Sequence, residues 1–263
     1  MKAFVLLTCL AVPALAQGAL AQSDPDDLPP GLVSAELLPG WITPDGHRMT
    51  ALRLELEPGW KTYWRSPGDA GVPPRFDWQG SQNMAQVTPH WPRPEAIESG
   101  GERTLGYHDQ LVLPLEIAPA TPGQPVDLQA KVDFGLCLDI CVPAHIVLTA
   151  PPVGDGPDPL IQSALAEVPE QSPDHPLCRI EEIADGMRVT ALFPDENAPE
   201  VAMELPDTWV SQPELEQRDG MLHAQADFVG ETGKPFALDP SQLVLTLIAP
   251  DHATEYRGCN TEG

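Results

Sequence analysis

The chain has 263 residues, 42% of them hydrophobic, so it can bury a sizeable core in one large domain or two small ones. Its 39 Asp and Glu residues outnumber its 14 Lys and Arg residues, and a net charge of −25 disfavours binding to nucleic acids and anionic lipid surfaces. The 32 prolines and 21 glycines argue against a helix bundle and favour short strands joined by turns.

The first segment has the pattern of a secretory signal peptide. Lys2 precedes an apolar run with small residues, and two Ala-Leu-Ala sites end at Ala16 and Ala21. Acidic, proline-rich sequence starts after Ala21, so we assign residues 1–21 to the signal peptide and place the cleavage there. Since no later run of about 18 apolar residues occurs, we expect an exported protein that does not insert into the membrane.

Composition divides the remaining chain into three parts. Residues 151–176 carry seven prolines and several acids, which is typical of a linker. Within it, Asp158 and Pro159 have the pattern of an N-cap and first helical residue, so a short helix is expected. The linker separates a first domain over residues 22–150 from a second, smaller one over residues 177–263.

Both domains show the period-two alternation of half-buried strands. Asp185-Gly186 and Asp219-Gly220 predict hairpin turns in the second domain. We therefore predict an all-β chain with two β-sandwich domains in tandem. The alternating apolar positions are Leu52, Leu54, Leu56; Leu111, Leu113, Leu115, Ile117; Val126, Leu128, Ala130, Val132, Phe134; Met187, Val189, Ala191, Phe193; Leu222, Ala224, Ala226, Phe228; and Leu243, Leu245, Leu247.

Four cysteines remain once Cys9 has left with the signal peptide: Cys137, Cys141, Cys178 and Cys259. In an oxidising compartment they predict two disulfides, with three pairings open. If Cys137 and Cys141 flank a three-residue turn between strands, their Cβ atoms lie about 4.5–5.5 Å apart, near disulfide range.

If Cys137 pairs with Cys141, then Cys178 pairs with Cys259, and the two disulfides close loops of very different length. A disulfide that closes five residues contributes about 2 kcal/mol by chain entropy, against about 4.5 kcal/mol for a loop of about eighty residues. A Cys178–Cys259 bridge is therefore predicted to be structural, whereas Cys137–Cys141 can open at little cost to the fold. A pair of that kind suits electron transfer.

Asp139 lies between the two cysteines and is predicted to tune them. A nearby carboxylate disfavours the thiolate and raises the pKa of a cysteine. Strong oxidants need a stabilised reduced form, so we expect a potential well below about −120 mV.

Two other interpretations of the pair stay open. The first is an inert structural disulfide, which the cysteine spacing alone favours as much as a redox-active one. The second is a Cu(I) or Zn site formed by Cys137, Cys141 and His145, although no fourth ligand is obvious nearby. The remaining histidines are scattered in polar sequence and are expected on the surface, so no metal or other cofactor is predicted.

An ordered set of motifs resembles the periplasmic N-terminal (alpha) domain of the DsbD/ScsB thiol:disulfide interchange reductases. The resemblance covers residues 30–150 well and, for the ScsB-like branch, extends more loosely through the second domain. The motifs are residues 60–71 (WKTYWRSPGDAG), 73–78 (PPRFDW), 91–94 (WPRP), 106–107 (GY), 111–114 (LVLP) and 137–143 (CLDICVP).

The resemblance implies an immunoglobulin-like sandwich with one redox-active cysteine pair, here Cys137 and Cys141, with Cys141 bonding the partner. Such domains receive electrons from a membrane-embedded DsbD-type donor. They pass them to periplasmic thioredoxin-like proteins, including disulfide isomerases and cytochrome c maturation factors, and the ScsB branch is linked to copper tolerance. A periplasmic thiol:disulfide oxidoreductase is therefore expected.

Members of this family also cover the cysteines with a cap loop. By position, residues 95–107 correspond to it, with Ile97 and Leu105 as shielding side chains and with Tyr63 and Trp60 near the sulfurs. This sequence departs from the family in its closer cysteine spacing. It also lacks membrane spans and a thioredoxin-like domain, so a separate membrane protein is expected to be the donor. The alternatives are a non-catalytic binding module with an inert disulfide and a Cu(I)-handling protein.

Overall fold

The structure is a computed structural model, and it describes residues 28–99, 101–194 and 200–261. The predicted signal peptide, residues 1–21, lies outside this range. The described residues are mostly strands with one α-helix, α1 (Pro159–Ala166), so the all-β prediction is confirmed. Within these ranges no helix has the length and apolar character needed to cross a bilayer.

The first half forms a two-sheet sandwich. Its strands are β1 (Leu32–Leu37), β2 (Trp41–Ile42), β3 (Arg48–Leu56), β4 (Lys61–Tyr63), β5 (Arg75–Asp77), β6 (Met84–Pro89), β7 (Glu95–Ser99), β8 (Glu102–His108), β9 (Gln110–Pro119), β10 (Gln129–Cys137) and β11 (Cys141–Thr149). The first sheet has the order β1-β3-β9-β6, with β2 paired to β3. The second has the order β11-β10-β4-β8-β7, with β5 paired to β10.

The predicted alternation fixes the faces of these sheets. Leu52 pairs with Leu113 and Leu54 with Leu111 across β3 and β9, and all four side chains are buried. They form one hydrophobic cluster with Phe134 and other side chains of β10, so the core lies between the two sheets.

The short helix predicted inside the linker is present and packs on the outer face of the first sheet. Asp158 caps α1 by accepting hydrogen bonds from the backbone of Leu160 and Ile161. Ile161 is fully buried against Met49 and Ala51 of β3, which explains why an isolated helix of eight residues is stable here.

The second half is a smaller two-sheet sandwich around its own core, which includes Phe193, Phe228 and Leu245. Its strands are β12 (Glu170–Gln171), β13 (Leu177–Ile183), β14 (Gly186–Pro194), β15 (Glu200–Glu204), β16 (Trp209–Val210), β17 (Glu214–Arg218), β18 (Met221–Val229), β19 (Val244–Ile248), β20 (Ala253–Arg257) and β21 (Asn260–Thr261). The sheet orders are β12-β20-β19-β15 and β16-β18-β14-β13-β21, with β17 paired to β18.

The two predicted hairpin turns differ in detail. Asp219 and Gly220 connect β17 to β18 with φ values of 53° and 74°, as a two-residue Asp-Gly loop requires. The other turn lies one residue earlier than predicted, because Gly186 already belongs to β14. A Cβ atom on Gly186 would lie 2.0 Å from the carbonyl oxygen of Phe228, so this glycine permits close strand pairing.

Three arginines of the first half connect it to the second half at a seam. One of their partners is Glu255 on β20. Burial raises the pKa of its carboxyl group, but the Arg65 guanidinium and a hydrogen bond from Gln171 lower it more. The pKa of Glu255 therefore lies below its usual value. The seam is therefore held by charged pairs that are partly withdrawn from water. Its contacts are Arg65 Nη2 to Glu204 Oε2 (2.9 Å), Arg65 to Glu255, Arg103 Nη1 to Glu200 Oε1 (2.7 Å) and Arg93 Nη1 to the Pro250 carbonyl (2.7 Å).

Candidate active site

Cys137 and Cys141 close the hairpin formed by β10 and β11. Cys137 is the last residue of β10 and Cys141 the first of β11, and the two are direct register partners. Their Cα atoms lie 4.1 Å apart and their sulfurs form a disulfide. The bridge therefore spans the end of a continuous antiparallel ladder, and only residues 138–140 lie outside the strands.

The two cysteines differ in exposure. Cys137 is 1% exposed because β10 is flanked by β11 on one side and by β4 on the other. Cys141 is exposed, on the edge strand of the sheet. Two apolar side chains of the connecting loop, Leu138 and Ile140, are also exposed, by 44% and 77%. Thus one cysteine faces solvent beside an apolar rim while the other lies in the interior.

Tyr63 of β4 contacts both sulfurs. Its hydroxyl oxygen lies 2.8 Å from Cys137 Sγ and 3.1 Å from Cys141 Sγ. Because disulfide sulfurs carry no hydrogen, the phenol is the donor in this state. The ring is 1% exposed and lies against Gly135 of β10, where an added Cβ atom would be 2.9 Å from Tyr63 Cε2. A glycine at this position therefore makes room for the ring beside the sulfurs.

Lys61 is a further residue of this site, and the sequence analysis did not identify it. It is the register partner of Cys137 across β10 and β4, and it is 6% exposed. Its ammonium group lies 3.4 Å from Thr104 Oγ1 and 6.0 Å from the centre of the Tyr63 ring. Because register partners lie side by side on one face of a sheet, Lys61 is a neighbour of Cys137. Lys61 and Tyr63 alternate within one strand and so share a face, but a strand of three residues is too short for the sequence to show it.

The other predicted shielding residues lie farther along the same sheet. Ile97 and Leu105 are buried on β7 and β8, the strands beyond β4 in the sheet order. Leu105 belongs to the main core cluster, against which the partly buried Trp60 packs. Strands β7 and β8 thus extend the sheet beyond β4, and the shielding roles of these three side chains stay predictions.

The structure does not bring together the metal set that stayed open as an alternative. His145 pairs in register with Asp133 on β10, and its Nδ1 lies 2.7 Å from Asp133 Oδ1. His145 and Cys141 are four residues apart on β11, which places them about 13 Å apart along the strand. They therefore cannot bind the same ion. Asp139 is exposed in the loop between the cysteines, and its predicted tuning role stays untested.

The second disulfide joins Cys178 on β13 to Cys259, just before β21, with Cα atoms 5.9 Å apart. Cys178 is fully buried in the second core. Because β13 and β21 pair in parallel, this bridge ties the start of the second sandwich to its end. The two disulfides therefore occupy different environments, one at an exposed loop and one inside a core.

Comparison with known proteins decides the affiliation of the first sandwich. Residues 34–150 match the family model described as the N-terminal region of the thiol:disulfide interchange protein DsbD, and the match includes both cysteines of the hairpin. This segment belongs to the DsbD N-terminal domain family. The chemistry that the DsbD family and the hairpin disulfide support is thiol–disulfide exchange in general.

Solved structures extend the likeness beyond the DsbD-type segment. The crystal structure of the N-terminal periplasmic domain of ScsB from Proteus mirabilis matches with a TM-score of 0.59 at 21% identity, covering 88% of this chain and 92% of that one. This match shows the two-sandwich fold. The reduced DsbD N-terminal domain of Neisseria meningitidis gives a TM-score of 0.28 at 17% identity, covering 52% of this chain and 100% of that one. A search of the curated proteins finds no match.

Proposed function

We propose that this protein is a periplasmic electron relay that exchanges its Cys137–Cys141 disulfide with thioredoxin-like proteins. The observation that carries the proposal is the asymmetry of the pair, with Cys137 buried and Cys141 exposed at the end of one hairpin. An attacking thiolate can approach only a sulfur that it can reach. Cys141 is therefore the residue that bonds the partner, and Cys137 is the resolving residue.

The exchange runs through a mixed disulfide. In the reduced protein, the Cys141 thiolate attacks a partner disulfide, and one partner sulfur leaves as a thiolate. The Cys137 thiolate then attacks Cys141 Sγ, which restores the hairpin disulfide and releases the second partner sulfur. Two electrons pass to the partner, and the Tyr63 hydroxyl is placed to donate a hydrogen bond to the departing or attacking sulfur.

A separate DsbD-type membrane protein is the donor in this proposal, and thioredoxin-like periplasmic proteins are the acceptors. The family of the first sandwich and the periplasmic origin of the ScsB domain support this assignment. The exposed apolar pair Leu138 and Ile140 supports docking of a protein partner beside Cys141. The cap role of Ile97 and Leu105 belongs to the same proposal.

The first test is a glutathione redox titration, with free thiols alkylated and all four cysteines followed by peptide mass. We expect Cys137–Cys141 to open reversibly between about −300 and −180 mV while Cys178–Cys259 stays closed. If both bridges resist reduction until the protein unfolds, the hairpin disulfide is inert and the proposal fails.

The second test assigns the two sulfurs. With Cys137→Ser, the thiol of Cys141 should react quickly with 5,5′-dithiobis(2-nitrobenzoate). With Cys141→Ser as the matched control, the buried Cys137 should react at least about tenfold more slowly, since reactivity follows thiolate character and access. Equal rates, or the reverse order, would contradict the assigned roles.

A further inference from the structure

A second cluster of chemically active side chains lies on the first sheet, whereas the cysteine pair belongs to the second. Glu116 of β9 stands between two histidines. Its Oε1 lies 2.6 Å from His47 Nδ1, and its Oε2 lies 3.0 Å from His90 Nε2. Asp45 completes the group, with Oδ2 3.9 Å from His47 Nδ1. The ligand atoms of Asp45, His47 and Glu116 thus lie within 4.8 Å of one another, and His90 contacts the second carboxylate oxygen of Glu116.

The backbone holds both histidines in position. The His47 N–H donates to Thr43 Oγ1 at 3.1 Å, and the His47 carbonyl accepts from the Thr43 N–H at 2.8 Å, which closes the turn before β3. The His90 N–H donates to the Pro114 carbonyl at 2.9 Å. Glu116 lies between them on the central strand. The cluster is therefore organised before any ligand arrives.

The side chains are neither fully buried nor freely solvated. The exposed fractions of the side chains of His47, His90 and Glu116 are 34%, 27% and 27%. An ion could therefore enter from solvent, while these three side chains would keep restricted rotamers. Asp45 is more exposed, at 67%, and can move toward the ion from its turn.

The donor set identifies the class of ligand. An imidazole nitrogen with carboxylate oxygens suits borderline divalent ions such as Zn²⁺, whereas Mg²⁺ and Ca²⁺ prefer oxygen donors alone. We propose that Asp45, His47 and Glu116 form a Zn²⁺-binding site, with His90 as the outer-shell partner that orients Glu116. The His47 imidazole binds in its neutral form through Nδ1, with its proton on Nε2.

This site involves no cysteine and does not depend on the redox proposal. The Asp45, His47 and Glu116 ligand atoms lie within 4.8 Å of one another, on a different sheet from the disulfide. Zn²⁺ binding should therefore be the same with the hairpin disulfide closed or reduced. Cysteine-based metal handling would instead require the reduced form.

The test uses the full chain with both disulfides closed, after treatment with a chelator and dialysis. Zn²⁺ is titrated at neutral pH in competition with a chromogenic chelator, and we expect one ion per chain. His90→Gln and Glu116→Gln should each weaken binding by at least about tenfold, since even loss of an outer-shell partner costs about 10–100-fold. His145→Gln is the matched control, because His145 makes a single pair with Asp133, and it should bind as tightly as the natural sequence.

A stability readout separates loss of the site from loss of the fold. Zn²⁺ should raise the unfolding midpoint of the natural protein and of His145→Gln more than that of His90→Gln, because only a folded site binds the ion. If the natural protein binds no Zn²⁺, or if His90→Gln and Glu116→Gln bind as well as it does, the four residues form a hydrogen-bonded cluster and the proposal is wrong.

Discussion

Replacing Tyr63 with phenylalanine isolates one hydroxyl group that contacts both reactive sulfurs. The ring stays in its slot against Gly135, and only the oxygen at 2.8 Å and 3.1 Å from the sulfurs is lost. In the oxidised protein this hydroxyl donates to neutral sulfur. In the reduced protein it can donate to a thiolate, and a hydrogen bond to a charged acceptor is the stronger one.

The difference between the two states sets the size of the effect. A hydrogen bond to a charged group contributes about 1.5–3 kcal/mol and a neutral one about 0.5–1.5 kcal/mol, so Tyr63 favours the reduced form by about 1 kcal/mol. For a two-electron couple, about 1.4 kcal/mol corresponds to about 30 mV. Tyr63→Phe should therefore make the potential of the Cys137–Cys141 pair more negative by about 20 mV.

The measurement is the glutathione equilibrium, which should shift about fivefold toward the disulfide, since 1.4 kcal/mol is about tenfold in an equilibrium constant. The shift should disappear at acidic pH, where both thiols keep their protons. Tyr107→Phe is the matched control, because Tyr107 is also buried but donates to the Pro92 carbonyl at 2.8 Å. An unchanged or less negative potential in Tyr63→Phe at every pH would refute the role given to this hydroxyl.

Three further changes test the packing, the structural bridge and the seam. Gly135→Ala places a methyl group against the tyrosine ring and should lower the free energy of unfolding by about 1–3 kcal/mol in urea titrations, whereas Gly156→Ala, with open space around it, should not. Cys178→Ser removes the Cys178–Cys259 disulfide, whose cysteines are 81 residues apart in sequence, and should lower the free energy of unfolding by about 4.5 kcal/mol. The redox potential of the Cys137–Cys141 pair should stay unchanged. Glu255→Gln weakens the ion pair with Arg65. The pKa of Glu255 is lower in the folded state than in the unfolded state, so the charged carboxylate stabilises the fold. This stabilisation is present above the unfolded pKa of about 4.3 and is lost as the pH falls through the lower folded value. The stability difference between this variant and the natural protein should thus be present at pH 7 and shrink as the pH falls below about 4.3, and a difference independent of pH would contradict the assignment.

Local pattern was sufficient for the long alternating strands and for the cysteine hairpin. Alternation in residues such as Leu52 and Leu54 identified β3, because a half-buried strand must alternate. The three residues between Cys137 and Cys141 were compatible with a tight turn between strands or with one helical turn, and the structure has the turn between strands.

The immediate environment of the sulfurs was only partly predictable. Tyr63 reaches them because β4 pairs with the end of β10, and only Leu136 and Cys137 take part in that pairing. A three-residue strand carries too little pattern to reveal its neighbours. Lys61 was missed for the same reason, although both residues lie in a motif that resembles the family.

Polar contacts between residues far apart in the chain could not be predicted from the sequence. Among 39 acidic residues, nothing local marks Glu116 as the partner of His47 and His90, or Glu255 as the partner of Arg65. These contacts depend on the order of strands in the sheets and on how the two sandwiches meet.

The arginines at the seam also affect how the protein meets other molecules. The chain has 14 Lys and Arg residues, and Arg65, Arg93 and Arg103 are engaged between the two sandwiches. Few positive charges are then left to offset the acids on the outside. Two copies of the chain repel each other, and a partner with a basic face is drawn in over a distance comparable to the Debye length, about 8 Å at physiological ionic strength. Encounter rates with such a partner should therefore fall as salt is added, even where the bound complex relies on apolar contacts.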